Sequence, residues 1–158
     1  MEVIIRKANI DDVDKLFCLW CELGKDQLKK DPYYKGNFVA DRGYDFKKLL
    51  QSQNCCIFVA ESDNRVVGFA EARTHVKDFK FYIDDYVYLM HVYVEPGYRG
   101  FKLHYRFVEK IEAWALERNF RYLVADVLKT NDGVINLLKM SRFDEYRIRL
   151  VKNINADK

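Results

Sequence analysis

Apolar positions along this chain change their period several times, and the changes mark out its elements. The opening EVIIRKA alternates and is rich in β-branched residues, which predicts a strand. Asn9 stands where a helix cap belongs, Asp11 and Asp12 follow in the first turn, and Val13, Leu16, Phe17, Trp20 and Gly24 fall on one helical face. The stretch from Lys29 to Phe46 is broken by Pro32, Gly36 and Gly43 and predicts a long loop, followed by a second helix over DFKKLLQSQ. CCIFVAES, an Asp63–Asn64 turn and RVVGFAEARTH predict an antiparallel hairpin, and DDYVYLMHVYV a further long strand. Beyond it Leu103, Phe107, Val108, Ile111 and Ala115 keep helical spacing, and YLVADVLK predicts a mostly apolar strand. Asn131 is placed to cap a last helix containing Val134, Ile135, Leu137 and Leu138, and EYRIRLVKNI alternates as a closing strand. The order is strand, two helices, three strands, helix, strand, helix, strand. It predicts an α/β (α+β) domain with an antiparallel front half and a strand–helix–strand crossover behind it.

Length and composition narrow the function classes. At 158 residues and 49% hydrophobic the chain fits one domain, residues 1–158, with a sizeable core. Lys and Arg number 27 against 24 Asp and Glu, and the basic residues are interspersed with acids, so no nucleic-acid partner is expected. No run approaches the roughly 18 apolar residues of a membrane span, and the start lacks a basic leader, so the expectation is a cytoplasmic protein with no membrane partner. The four cysteines form two close pairs, Cys18 with Cys21 and Cys55 with Cys56. The first pair lies in an amphipathic helix, and Cys55 and Cys56 point to opposite faces of a strand. Buried reduced thiols are therefore expected, and no metal.

The stretch that carries chemistry is VYVEPGYRGFKLHYRF, Val92 to Phe107. A strand enters a tight turn with a Pro and two Gly, and a helix opens directly after it. Such a turn leaves backbone N–H groups unpaired and aimed alike with the positive helix end behind them, and Arg99 and Lys102 add charge to the same spot. A pyrophosphate suits it. An ordinary basic strand-to-helix connection is the competing reading.

The element order and this stretch resemble the GNAT superfamily of acyl-CoA-dependent N-acyltransferases, whose central strand ends in a V-x-V-x-P-like segment followed by R/Q-x-x-G-x-G/A. Val92, Val94, Pro96, Tyr98, Arg99 and Gly100 match that pattern, and Asn131, Leu137 and Phe143 match the family's later segment. The resemblance spans the chain and implies a GNAT-like mixed, mostly antiparallel central sheet flanked by about four helices. It also implies acetyl-CoA as cosubstrate, held by Val92, Tyr93, Val94, Arg99, Gly100, Phe101, Lys102, Leu103, His104 and Asn131. The implied reaction is transfer of an acetyl group to a primary amine of a small molecule or protein by direct attack, with backbone N–H groups near Val92 to Val94 polarising the carbonyl. A homodimer is left open.

Three departures accompany the match. Lys102 and His104 occupy two positions where the family carries small residues; Lys102 is easy to accommodate if its backbone is helical and its side chain swings outward, whereas His104 is harder, in the first helical turn at a place usually kept clear. Leu138 stands where the family commonly has a Tyr that protonates the departing thiolate. Tyr88 occupies a place where some relatives carry a Glu as general base, and a neutral phenol is a poor base near neutral pH. His91 is the alternative, because an imidazole's ordinary pKa of about 6.5 suits a base. Strand parity puts His91 on the face opposite Tyr88, and a hydrogen-bonded core histidine is the competing reading. Glu71, Asp84 and Asp85 are candidates for holding a cationic amine or relaying its proton. Tyr33, Tyr34 and Phe38 are candidates for lining the acceptor pocket, against simple packing over the sheet edge. The alternative function is a catalytically impaired domain of this kind that binds acyl-CoA or a protein partner without turnover.

Overall fold

The computed structural model describes residues 2–35, 44–75, 83, 85–100 and 102–152. Its elements are β1 (Ile4–Lys7), α1 (Val13–Leu28), α2 (Phe46–Gln51), β2 (Cys55–Ser62), β3 (Arg65–His75), β4 (Tyr86–Val94), α3 (Leu103–Leu116), β5 (Tyr122–Val124) and α4 (Asp132–Met140). The sheet runs β1-β2-β3-β4-β5; the first four strands pair antiparallel and β5 joins parallel to β4. This is the expected mixed, mostly antiparallel sheet with four helices.

Local chemistry explains the boundaries. Asn9 and Asp12 form a reciprocal capping box on a single 3-10 turn that leads into α1. Arg6 clamps Asp12 with two hydrogen bonds of 2.7 and 2.8 Å, which locks that turn to β1. Asp63 and Asn64 both take left-handed backbone, φ 49° and 60°, as a two-residue hairpin turn requires. Asp45 caps α2 by accepting from the Lys48 backbone.

The sheet buries two apolar clusters. On one face α3 lays Leu103, Phe107, Ile111 and Trp114 against Val67, Ala70, Ala72, Val87 and Leu89. On the other, α1 and α2 lay Leu16, Leu19, Trp20 and Phe46 against Ile57, Val59 and Phe69. Each large side chain so buried contributes about 1.5–3 kcal/mol. Cys55 and Cys56 fall on opposite faces as expected and are buried, which pushes both thiols up to about 12. Cys18 departs from the expectation of burial: it is exposed on α1.

Two expected strands are corrected. β5 stops at Val124, because Ala125 and Val127 turn into the α3-side core instead of continuing to pair with β4. The closing strand over residues 145–154 does not form in its described part. Ile148 and Leu150 are 87% and 89% exposed, and the three-residue β5 offers little edge to pair with.

Candidate functional site

The short pairing of β5 has a direct consequence. Only Tyr86, Val87 and Tyr88 of β4 pair with β5, so from Leu89 to Val94 that edge of β4 has no strand partner among the described residues. Backbone polar groups on such an edge must be met by something else. The edge runs straight into the turn that opens α3.

That turn is held rigidly. Arg99 donates through Nε to the Val94 carbonyl at 3.0 Å and through Nη2 to Asp26 of α1 at 2.9 Å. Glu95 is paired with Lys15 of α1 at 2.8 Å and with Arg65 of β3 at 3.0 Å. The Arg99 guanidinium thus fastens the turn to α1, and none of Asp26, Glu95, Lys15 and Arg65 was visible as a supporting residue in the local motif. Gly100 takes φ 103°, with open space where a Cβ would stand. Lys102 is the residue preceding α3, and its backbone is left-handed, φ 54°, not the helical conformation expected of it. The family's glycine at this position answers that left-handed backbone; an L-residue there costs about 1–2 kcal/mol.

The first i to i−4 bond of α3 runs from Arg106 to Lys102, so the Leu103, His104 and Tyr105 N–H groups are the helix's open donors, and no side chain caps them. His104 Nδ1 is buried without a hydrogen-bond partner, and burial pushes the imidazole below its ordinary range, so it is neutral. An uncapped helix start, a left-handed glycine with free space and an orphaned ring nitrogen together fit an anion with several acceptor oxygens. Phe101, expected at this site, lies outside the described residues, as do Asp84 and Phe38.

On the opposite face of the sheet a buried polar cluster sits under the same segment of β4. A register shift puts Met90 out of step, so that Glu71 pairs with His91 and Ala72 with Leu89. This bulge reverses the parity expected for β4. Val87, Leu89, Val92 and Val94 belong with the α3 side, whereas His91 joins Tyr93 on the α1 and α2 side, the same side as Tyr88. His91 Nδ1 lies 3.2 Å from Glu71 Oε2 and 3.0 Å from the Tyr44 hydroxyl. Tyr44 donates to Glu71 Oε2 at 2.5 Å, Arg73 Nε donates to Glu71 Oε1 at 2.6 Å, and Arg73 Nη2 donates to the Tyr44 oxygen at 2.7 Å.

Glu71 is fully buried. Burial disfavours its charge, but the hydrogen bond and attraction from His91, the Tyr44 hydroxyl and Arg73 outweigh that and hold the carboxyl below its ordinary range. The phenol of Tyr44 is pushed up, by burial first and by Glu71 next. With the Tyr44 proton directed to Glu71, both oxygens near His91 Nδ1 are acceptors, so Nδ1 is a donor and Nε2 is the nitrogen at which the neutral ring would carry its lone pair.

The other expected residues are placed as follows. Tyr88 donates to Asp126, and burial with that bond raises its phenol to about 12. Tyr33 is exposed and Tyr34 half-buried on the connection after α1. Asn131 precedes α4 without a side-chain capping bond. Leu138 is buried in the α3-side core.

Residues 21–141 match the model of the Acetyltransferase (GNAT) family. The chain belongs to that family. GNAT proteins of known structure share its fold: AAC(6')-Iy in complex with the bisubstrate analog CoA-S-monomethyl-acetylneamine superposes with a TM-score of 0.75, at 19% identity over 97% of this chain and 99% of that one. The aminoglycoside antibiotic 6'-N-acetyltransferase AAC(6')-Ih from Acinetobacter baumannii gives 0.72, at 16% identity over 98% and 100%. The chain is also 23% identical over 108 residues to the probable N-acetyltransferase camello of Xenopus tropicalis, covering 68% of this chain and 47% of that protein's length. The chain thus spans about half the length of the curated relative it matches.

Proposed function

We propose that the protein is an N-acetyltransferase that moves the acetyl group of acetyl-CoA to a primary amine of a small molecule or a protein. What carries the reading is the coincidence of three features on one half-strand: the unpartnered edge of β4, the uncapped start of α3 beyond it, and His91 beneath it with Nδ1 committed to Glu71. The fold shared with an aminoglycoside antibiotic 6'-N-acetyltransferase and with a protein holding a CoA bisubstrate analog supports the chemistry.

Acetyl-CoA, when bound, supplies an electrophilic thioester carbon. The α3 N–H groups of Leu103, His104 and Tyr105, with Gly100 and Lys102, would hold its pyrophosphate, and the free N–H groups between Val92 and Val94 would polarise the thioester carbonyl. His91 Nε2 takes the proton of the attacking amine, while Glu71 holds the ring and steadies the imidazolium that forms. In this reading Glu71 stands behind the base and does not touch the acceptor, since both its oxygens are already bonded. Leu138 supplies no proton to the sulfur, and Tyr88 is bonded to Asp126, so the thiolate departs unassisted by either.

The deciding experiment pairs calorimetric titration with acetyl-CoA and a thiol-release assay with a panel of primary amines. Micromolar binding with amine-dependent release of CoA is expected, and His91→Gln should lower kcat by about 10²-fold or more with little change in acetyl-CoA affinity. Binding without release would indicate the impaired domain, and no binding would overturn the reading.

A further inference from the structure

We propose that Tyr44 and Arg73 are positioning residues for the proton transfer: by saturating Glu71 they fix His91 as the Nδ1–H tautomer and keep its Nε2 free to accept. The inference rests on His91 serving as base in the reading above. Neither residue lies in a recognisable motif. Tyr44 precedes α2, Arg73 sits two residues after Glu71 on β3, and the two meet over Glu71 through a closed ring of hydrogen bonds between 2.5 and 3.2 Å.

The ring has one consistent proton assignment. Arg73 has only donors, so the Tyr44 oxygen must accept from it, and the single phenolic proton is left for the short bond to Glu71. Glu71 Oε1 is taken by Arg73 Nε. His91 Nδ1 then faces acceptors only and must donate. Without Tyr44 and Arg73 a lone buried carboxylate would pair with His91 alone and draw it toward the imidazolium, which has no lone pair to offer. The Arg73 charge, next to the pair, counters that pull.

The charged and titratable groups around His91 are accounted for element by element. β3 contributes Glu71 and Arg73. Two residues ahead of α2 stands Tyr44, also edge-on to the imidazole at 5.5 Å between ring centres, and Asp45 between them is taken up capping the helix. β2 contributes Cys55, beside Arg73 in register and uncharged at neutral pH. From α1 the neighbour is the Trp20 ring stacked on Tyr44. Tyr88, on the same side of β4, is turned to Asp126.

The test uses the whole chain labelled with 15N at histidine, with His91 assigned among three histidines by the His91→Gln variant. Long-range 1H–15N spectra give tautomer and titration midpoint without turnover. The unsubstituted protein should show Nδ1–H at neutral pH. Arg73→Gln should raise the His91 midpoint by about one unit and Tyr44→Phe by less, in the same direction. Arg73→Lys, which keeps the charge, should restore most of the difference. The rising limb of kcat/KM against pH, read with one amine, should move by the same amount, with kcat recovering at high pH. An Nε2–H tautomer in the unsubstituted protein, or midpoints unmoved in both variants, would overturn the proposal. If a variant fails to fold, the tautomer of the unsubstituted protein decides alone. Loss of the acetyltransferase reading would appear separately, as absent thiol release beside the expected spectra.

Discussion

The two faces of this sheet solve different problems with the same strands. The face under α3 packs apolar side chains, from Val67 and Ala70 through Val87 to Phe107 and Ile111, and its work is to place a helix start at the end of β4. The face under α1 and α2 is equally well packed around Leu16, Trp20, Phe46 and Phe69, but it encloses a carboxylate with three polar partners, Tyr44, Arg73 and His91. A buried charge is retained at a cost in desolvation, so stability alone does not explain it. The contrast separates a face that positions backbone from a face that positions protons.

The sharpest way to break the contrast is Glu71→Ala. It strips the anion from beneath His91 and leaves Arg73 and Tyr44 without their acceptor, so thiol release should fall by 10²-fold or more, and unfolding in urea should show a loss of about 3 kcal/mol. Full activity in the folded variant would remove the cluster from the chemistry.

The apolar face predicts the opposite split. Phe107 is fully buried there, on the opposite face of the sheet from Glu71 and His91. Phe107→Ala should cost about 3–5 kcal/mol in denaturant unfolding while the molecules that stay folded keep the pH profile of the parent. A changed profile would show that the two faces are not separable.

Acid separates the two faces further, because His104 on one and Glu71 on the other each have a lowered pKa, with Asp12 at the turn before α1 joining Glu71 in the lower range. His104 at the head of α3 is neutral in the fold, so its stabilising contribution is complete above about 6.5 and is lost as pH falls from there toward its folded value. Glu71 contributes fully above its ordinary value near 4.5 and loses its contribution as pH falls below that. Stability should therefore decline in two steps on acidification. His104→Gln should erase the upper step and leave the lower, whereas a single step in the unsubstituted protein would contradict this.

Much of the architecture was legible because period and punctuation agree with it: the capped turn leading into α1, the Asp63–Asn64 hairpin and the Pro-Gly turn before α3 each rest on residues a few positions apart. What escaped was long-range. In YLMHVYV nearly every side chain is apolar or aromatic, so nothing local marks the bulge at Met90 that turns His91 toward Glu71 and Tyr44. Tyr44 lies in the stretch from Lys29 to Phe46 expected as a loop, and its partners Glu71, Arg73 and His91 are 27, 29 and 47 residues away, so only folding joins them. The tail containing Ile148 and Leu150 erred the other way: alternation predicted a strand where, among the described residues, the segment is exposed and pairs with no strand.

The smallest expected effect concerns Lys102, and it decides how the turn works. The two hairpin residues at the far end of β2 and β3 are also left-handed, but they are Asp and Asn, whose short polar side chains tolerate that backbone. Lys102 has no such tolerance, so Lys102→Gly should stabilise the fold by about 1 kcal/mol, a rise in Tm of about 2–4 °C for a domain of this size. Lys102→Ala keeps the strain and removes the charge. If the ammonium contacts phosphate, both variants should bind acetyl-CoA more weakly and with a flatter dependence on salt. If only backbone donors count, Lys102→Ala should bind as the parent does and Lys102→Gly at least as well, which would make the lysine a tolerated strain at a site run by the main chain.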